Sequence, residues 1–287
     1  MANVKTASTT LENSKSNNRT GNSFSHRIRQ LIKHRHFFIA LSIHDFHAQY
    51  LGSMLGFLWA IIKPLALIGI YSVVFSAVIA PVTNKQGEPL NFGLFIFSGM
   101  LPWLAVQESL QRGATVFVDL AHIIKHHALP LSLLPFNIVL SATASELIAV
   151  IAFVLIKLII NQGISIHLIL ILVLIPIQII FCYGLALTIA LLNVFLRDFS
   201  HLTTTVLFIW FFTSPIIFPL ESLPATLQML MWFNPLTSLI EIYRYLLLFE
   251  CIPSITAISV FITFSAFFLF TGFFLFNKTN KVIADWV

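Results

Sequence analysis

Few residues in this 287-residue chain have the types and spacing needed for chemistry. His122 and His126 stand four apart, which places both imidazoles on one face of a helix and could suit a zinc ion. The acidic HExxH context of such sites is absent, so we expect a solvated helix face instead. His44, Asp45 and His47 form a second cluster without a known catalytic pattern. The sequence therefore predicts that the chain is not an enzyme and holds no metal or cofactor.

A phosphate-binding loop of the GxxxxGK[ST] type is also missing, and the 11 glycines are scattered singly. The chain therefore has no such means of binding a nucleotide. If the chain is a pump, the energy must come from elsewhere.

Composition places these residues in a membrane. The chain is 58% hydrophobic and only 9% charged, with a mean hydropathy of +0.92. Soluble proteins are about one quarter charged. Lipid must therefore surround most of the chain, and we expect an all-α polytopic membrane protein.

Apolar segments long enough for the roughly 20 residues of a membrane span occur six times. They cover residues 57–80, 92–110, 131–160, 168–195, 202–220 and 254–276. The predicted units are a disordered tail (1–24), an amphipathic interfacial region (25–56), the six-span domain (57–276) and a second tail (277–287). The stretch 221–253 is too apolar for a solvated loop and is broken at Asn234-Pro235, so we expect short re-entrant helices on the outer side.

Positive charges orient the spans, because cytosolic segments carry an excess of Lys and Arg. If both termini are cytosolic, twelve fall inside: Lys5, Lys15, Arg19, Arg27, Arg29, Lys33, Arg35, Arg112, Lys125, Arg197, Lys278 and Lys281. Only Lys85 and Arg244 then fall outside. We therefore predict cytosolic amino and carboxyl termini, and we see no cleavable signal peptide.

Charges inside the spans are rare. Glu146 lies near the middle of the third span, where it would either face a pore or, as a protonated carboxyl, bond to a neighbouring helix. Lys63 and Lys157 lie near span ends and are expected to snorkel toward water. Trp59, Trp103 and Trp210 would form interfacial belts or, with Glu146, line a translocation path.

Several blocks resemble one family in order and in topology. They read YLGSMLGFLWAIIKPL (50–65), LFIFSGMLPWLAVQESLQRGATVFVDLAHIIKHHALP (94–130), FLRDF (195–199), SPIIFPLESLP (214–224) and NPLTSLIEIYR (234–244). Together they resemble the membrane subunit of polysaccharide-exporting ABC transporters. These are ABC-2 type permeases that move O-antigen, capsule and related glycans.

The resemblance implies a homodimer in a bacterial inner membrane, paired with two copies of a separate ATPase subunit that binds ATP and Mg²⁺. The substrate would be a lipid-linked glycan, and nucleic acid is not an expected partner. Residues implied to contact the ATPase are Arg112, Gly113, Asp119, Ile124, Lys125, Arg197 and Asp198. The basic face implied to meet lipid head groups carries Arg27, Arg29, Lys33 and Arg35. Region 221–253 would gate the exit.

Other functions remain open at this point. An ABC-2 permease for a small lipophilic substrate would share the architecture. A polytopic membrane transferase would need a convergent group of acids and bases, which the sequence does not display. A transporter driven by an ion gradient would usually carry several intramembrane charges.

Overall fold

The computed structural model describes residues 91–126, 131–160 and 165–286, with isolated positions at 56–59, 62, 65–66, 69–70, 74 and 163. Within these residues the chain is helical and contains no strand. The predicted 1–24 tail, the basic helix with Arg27, Arg29, Lys33 and Arg35, and most of the predicted first span lie outside the described residues.

The described helices follow one another with short connections. Their bounds are α1 Phe92–Asp119, α2 Ala121–His126, α3 Leu133–Ile159, α4 Ile171–Phe195, α5 Phe199–Phe212, α6 Ala225–Met231, α7 Pro235–Leu247 and α8 Ile255–Trp286. Two 3₁₀ turns, Ile166–Leu170 and Leu220–Ser222, precede α4 and α6.

Three of the described helical stretches are long and apolar enough to cross a bilayer: Leu133–Ile159, Ile166–Phe195 and Ile255–Thr279. They match the third, fourth and sixth predicted spans closely. The described part is thus that of a helical, polytopic membrane protein.

Two helices extend beyond their predicted ends. α1 begins as predicted but does not end at residue 110. It continues to Asp119, into the segment that the sequence predicted to connect the second and third spans. Pro102 lies inside α1 without ending it. α8 continues to Trp286 instead of ending at residue 276, so the predicted 277–287 tail is helical where it is described.

The fifth predicted span is not one continuous helix. α5 has 14 residues and ends at Phe212, where the chain turns before Ser214-Pro215. Proline cannot donate a backbone hydrogen bond and clashes with the preceding turn, which explains the stop. At 1.5 Å per residue, α5 is about 21 Å long, shorter than the roughly 30 Å hydrocarbon core.

α4 lies at the centre of the described bundle and contacts α1, α3, α5 and α8. Its closest approach is to α8, where Gly184 faces Gly272. A Cβ placed on Gly184 would lie 2.4 Å from the backbone carbon of Phe268, and one on Gly272 would lie 2.7 Å from the carbonyl oxygen of Gly184. The two backbones therefore touch, and only glycine fits at this crossing.

Candidate functional site

The most distinctive part of the described structure is α7, a short helix held inside the bundle. Every residue of α7 except Tyr245 is buried, including Glu241 and Arg244. The break predicted at Asn234-Pro235 is confirmed: Asn234 caps the helix and Pro235 opens it. Four groups of polar contacts fasten α7 to the surrounding elements: one at each end, one around Arg244 and one around Tyr243.

The amino-terminal end of α7 is fastened to α5 through Asn234. Its side-chain oxygen accepts hydrogen bonds from the Leu236 amide at 3.0 Å and from Trp210 Nε1 at 2.8 Å. Its side-chain nitrogen donates to Ser214 Oγ at 2.9 Å. One amide therefore caps α7, satisfies the indole of α5 and ties the start of α7 to the turn that follows α5.

Replacing Asn234 with alanine is expected to destabilise the protein by about 1–2 kcal/mol, because it removes the cap and leaves the Trp210 N–H without its acceptor. Thermal unfolding of the detergent-purified protein would measure this. Asn234→Asp keeps the acceptor oxygen and should retain most of the stability. Equal melting temperatures for Asn234→Ala and the wild type would contradict the proposed role of the cap.

The middle of α7 contains a buried ion pair. Arg244 is 1% exposed and donates to Glu241 Oε1 at 3.1 Å and to the Ile216 carbonyl at 2.8 Å. Its guanidinium lies 3.8 Å from the centre of the Phe95 ring on α1, within cation–π range. Gly99 leaves room for it, since a Cβ there would lie 3.3 Å from Arg244 Nη2. Arg244 therefore joins α7 to α1 and to the segment after α5.

The carboxyl-terminal end of α7 is fastened by Lys157 of α3. The Lys157 amine donates to the Leu247 carbonyl at 3.0 Å and pairs with Glu250 at 2.6 Å. Its side chain is only 3% exposed. The expectation that Lys157 snorkels to water is therefore wrong: a carboxylate and a helix-terminal carbonyl, both within reach, replace water as its partners.

Glu146 of α3 meets α4 and α7 in the same region. Gln178 Nε2 donates to Glu146 Oε2 at 2.8 Å, and the Tyr243 hydroxyl lies 2.6 Å from Glu146 Oε1 and 2.8 Å from Gln178 Oε1. Glu146 is 3% exposed. Of the two hypotheses left open by the sequence, pore residue or helix contact, this geometry favours the helix contact.

The aromatic residues predicted for a translocation path are buried to different extents. Trp103 is 3% exposed and packs against Trp210 and Phe211, with ring centres 6.4 and 5.6 Å apart. Trp210 and Trp59 are partly buried. Trp103 and Trp210 thus join α1 to α5 within one subunit, and their part in a translocation path stays a prediction.

The residues implied to contact an ATPase lie on α1, on α2 and in the turn between α4 and α5. Arg112 lies in the continued α1 and pairs with Glu108 at 2.9 Å. Gly113 is buried where α1 crosses α4, and a Cβ there would lie 2.9 Å from the Cβ of Ala186. Asp119 is exposed at the end of α1. Gly113 therefore serves helix packing, which sequence alone did not indicate.

The remaining implied contact residues lie on α2 and in one tight turn. Ile124 of α2 packs partly buried against the core, and Lys125 follows it in the helix. Arg197 and Asp198 are exposed in the turn between α4 and α5. Asn193 of α4 holds this turn, because its side-chain oxygen accepts from the Ser200 amide at 2.9 Å. A contact with an ATPase stays a prediction for all seven residues.

Sequence reasoning missed Gln178, Asn193 and the Gly184–Gly272 crossing as contacts that hold the helices together. A sequence signal existed for Gln178 and Asn193, since uncharged polar residues within a long apolar helix tend to bond to neighbouring helices. The glycine crossing has no such local signal, because its two members belong to helices far apart in the chain.

Comparison with known proteins identifies the family of this chain. Residues 36–248 match the family described as "ABC-2 type transporter". The chain belongs to this ABC-2 family. Its members are membrane subunits of transporters, which agrees with the predicted absence of a catalytic role.

Individual relatives narrow the ABC-2 family to one branch. The chain is 28% identical over 219 residues to the O-antigen export system permease protein RfbA of Myxococcus xanthus, covering 76% of this chain and 82% of that protein. Two proteins of the same name from Klebsiella pneumoniae are each 25% identical, and each match covers 72% of this chain and 78% of the relative. The predicted resemblance to an ABC-2 glycan exporter is thereby confirmed.

Proposed function

We propose that this chain is the transmembrane subunit of an ATP-driven exporter that moves a lipid-linked polysaccharide, of the O-antigen or capsule kind, across a bacterial inner membrane. The observation that carries the proposal is the extended similarity to three O-antigen export permeases over more than seven tenths of the chain. The apolar helices and the ABC-2 match support the same function.

The assembly proposed here is a homodimer of six-span subunits with two copies of a separate ATPase, which binds ATP and Mg²⁺. Both termini of each subunit would face the cytosol, in keeping with the distribution of positive charge. Region 221–253, with its buried α7, would form the re-entrant outer part. Backbone that does not span the membrane is tolerated at such depth only where protein or a watery cavity surrounds it.

Energy would enter at the inner side, from ATP bound on the partner subunits. ATP-driven closure of the partner subunits would shift the permease between arrangements, with contact made through Arg112, Asp119 and the turn at Arg197-Asp198. The basic face at Arg27, Arg29, Lys33 and Arg35 would attract the anionic head of the lipid carrier, at about 1 kcal/mol per charge near an anionic surface.

Depletion of this protein in its native cell tests the proposal. Lipid-linked glycans would be extracted and their exposure on the cell surface measured. We expect finished polymer to accumulate on the cytosolic side while the surface loses it, and re-expression of the wild type to restore export. Normal surface glycan after depletion would contradict the proposal and favour a permease for a small lipophilic substrate. A truncated or unmodified glycan would instead indicate a transferase.

A further inference from the structure

Three buried side chains from three helices form a closed triangle of short contacts. Glu146 of α3, Gln178 of α4 and Tyr243 of α7 are 3%, 1% and 0% exposed. Their polar atoms approach to 2.8 Å between Gln178 and Glu146, 2.6 Å between Tyr243 and Glu146, and 2.8 Å between Tyr243 and Gln178. All three distances are those of good hydrogen bonds, so each contact requires one proton.

Counting protons shows which group must supply the third. Gln178 faces one neighbour with its oxygen and the other with its NH₂ group, so it supplies one proton whichever way the amide is turned. The Tyr243 hydroxyl has one proton and cannot donate to Glu146 and Gln178 together. The remaining proton must come from Glu146, and only a carboxylic acid provides it.

The surroundings favour the same state. Among the described residues, Glu146 has no ion-pair partner, and its hydrogen-bond partners are Gln178 and Tyr243. An ionised carboxylate buried without a cation is costly, and more so in a membrane. The neutral acid avoids this cost and satisfies every polar atom of the triangle.

We propose that Glu146 is held as a neutral carboxylic acid and completes a closed ring of three hydrogen bonds that clamps α7 to α3 and α4. Glu146 is a positioning residue in this role and not a charge that attracts substrate. The clamp makes α7 part of the rigid bundle. α6 is not bound in this way: its Met229 and Leu230 are exposed, as is Phe233 just after it.

Substitutions at Glu146 separate a neutral acid from a required charge. Glutamine carries NH₂ where the acid carries OH, so Glu146→Gln should keep all three bonds and leave export and melting temperature within error of the wild type. Glu146→Leu should lower both, because it leaves Gln178 and Tyr243 with unsatisfied atoms. The proposal is overturned if Glu146→Gln is as damaging as Glu146→Leu, or if Glu146→Leu behaves like the wild type.

Infrared spectroscopy of the purified permease observes the proton directly. The difference spectrum between the wild type and Glu146→Gln at neutral pH should contain the C=O stretching band of a protonated carboxylic acid. Loss of carboxylate bands instead would show that Glu146 is ionised and would exclude the ring. This measurement does not depend on the exported molecule, so it fails or succeeds independently of the proposed function.

Hydrogen exchange tests the clamp itself. Tyr243→Phe removes one member of the ring while keeping the aromatic packing, and backbone amides of α7 should then exchange about fivefold faster or more. Glu146→Gln serves as the matched control and should leave these amides unchanged. Unaltered exchange of α7 in Tyr243→Phe would show that the ring does not hold the helix.

Discussion

Gly184→Ala should prevent α4 and α8 from packing and should abolish export. The added methyl group would lie 2.4, 2.5 and 2.6 Å from backbone atoms of Phe268 and Leu269, which cannot rotate away as a side-chain end can. The helices must separate by more than an ångström or fail to pair. Overpacking usually costs about 1–3 kcal/mol, and a clash with backbone belongs at or above the upper end of that range. Yield and monodispersity of the detergent-solubilised protein would measure the loss.

Other glycines provide a graded series for this experiment. Gly113→Ala brings its methyl group to 2.9 Å from a side-chain Cβ and should be milder than Gly184→Ala. Gly163→Ala is the matched control, since nothing lies within 4 Å of its Cβ position, and it should behave like the wild type. If Gly184→Ala accumulates and exports as well as Gly163→Ala, the close crossing of α4 and α8 does not exist in the membrane.

Arg244→Met should be the most damaging change within α7. The methionine fills part of the same volume, but it leaves Glu241 buried without its cation and the Ile216 carbonyl without its donor. Breaking a buried ion pair from one side typically costs about 3–5 kcal/mol. We therefore expect a large fall in melting temperature and little surface glycan, measured on the purified protein and on cells respectively.

The double variant Arg244→Met with Glu241→Leu separates a lost charge partner from lost packing. Removing both charges leaves no uncompensated carboxylate, and apolar replacements of buried pairs are often neutral in stability. We expect the double variant to be clearly more stable than Arg244→Met alone. A double variant that is less stable than Arg244→Met would show that the uncompensated charge is not the cause of the damage.

Sequence reasoning succeeded where the signal is local. Apolar runs located three helices that can cross a bilayer, and Asn234-Pro235 marked the start of α7, because a capping amide followed by proline has a direct backbone consequence. Five sequence segments, such as FLRDF (195–199) and NPLTSLIEIYR (234–244), were enough to indicate the ABC-2 family. In each case the deciding residues are adjacent or regularly spaced in the chain.

Sequence reasoning failed where the deciding partner is distant. Lys157 was expected to reach water because it lies near a span end, and its actual partner Glu250, 93 positions away, gave no signal in the sequence. The ring at Glu146 joins residues 32, 65 and 97 positions apart, and no periodicity reports such pairings. The early end of α5 was missed for a different reason. The apolar sequence continues past Phe212, but the helix cannot continue through Ser214-Pro215, because proline lacks a backbone N–H.

The glycine contacts of α4 also determine how the subunit deforms. Shear is a small sliding of one packed helix past another, which side chains between the helices take up by small adjustments. α4 has no such side chains against α8 at Gly184, and only one methyl group separates it from α1 at Gly113. Because Asn193 ties the Arg197-Asp198 turn to α4, a load applied at that turn would pass to α4 and from there to α1 and α8, which touch it at these glycines. We therefore expect α1, α4 and α8 to move as one unit, with the hinges of the transport cycle outside these three helices.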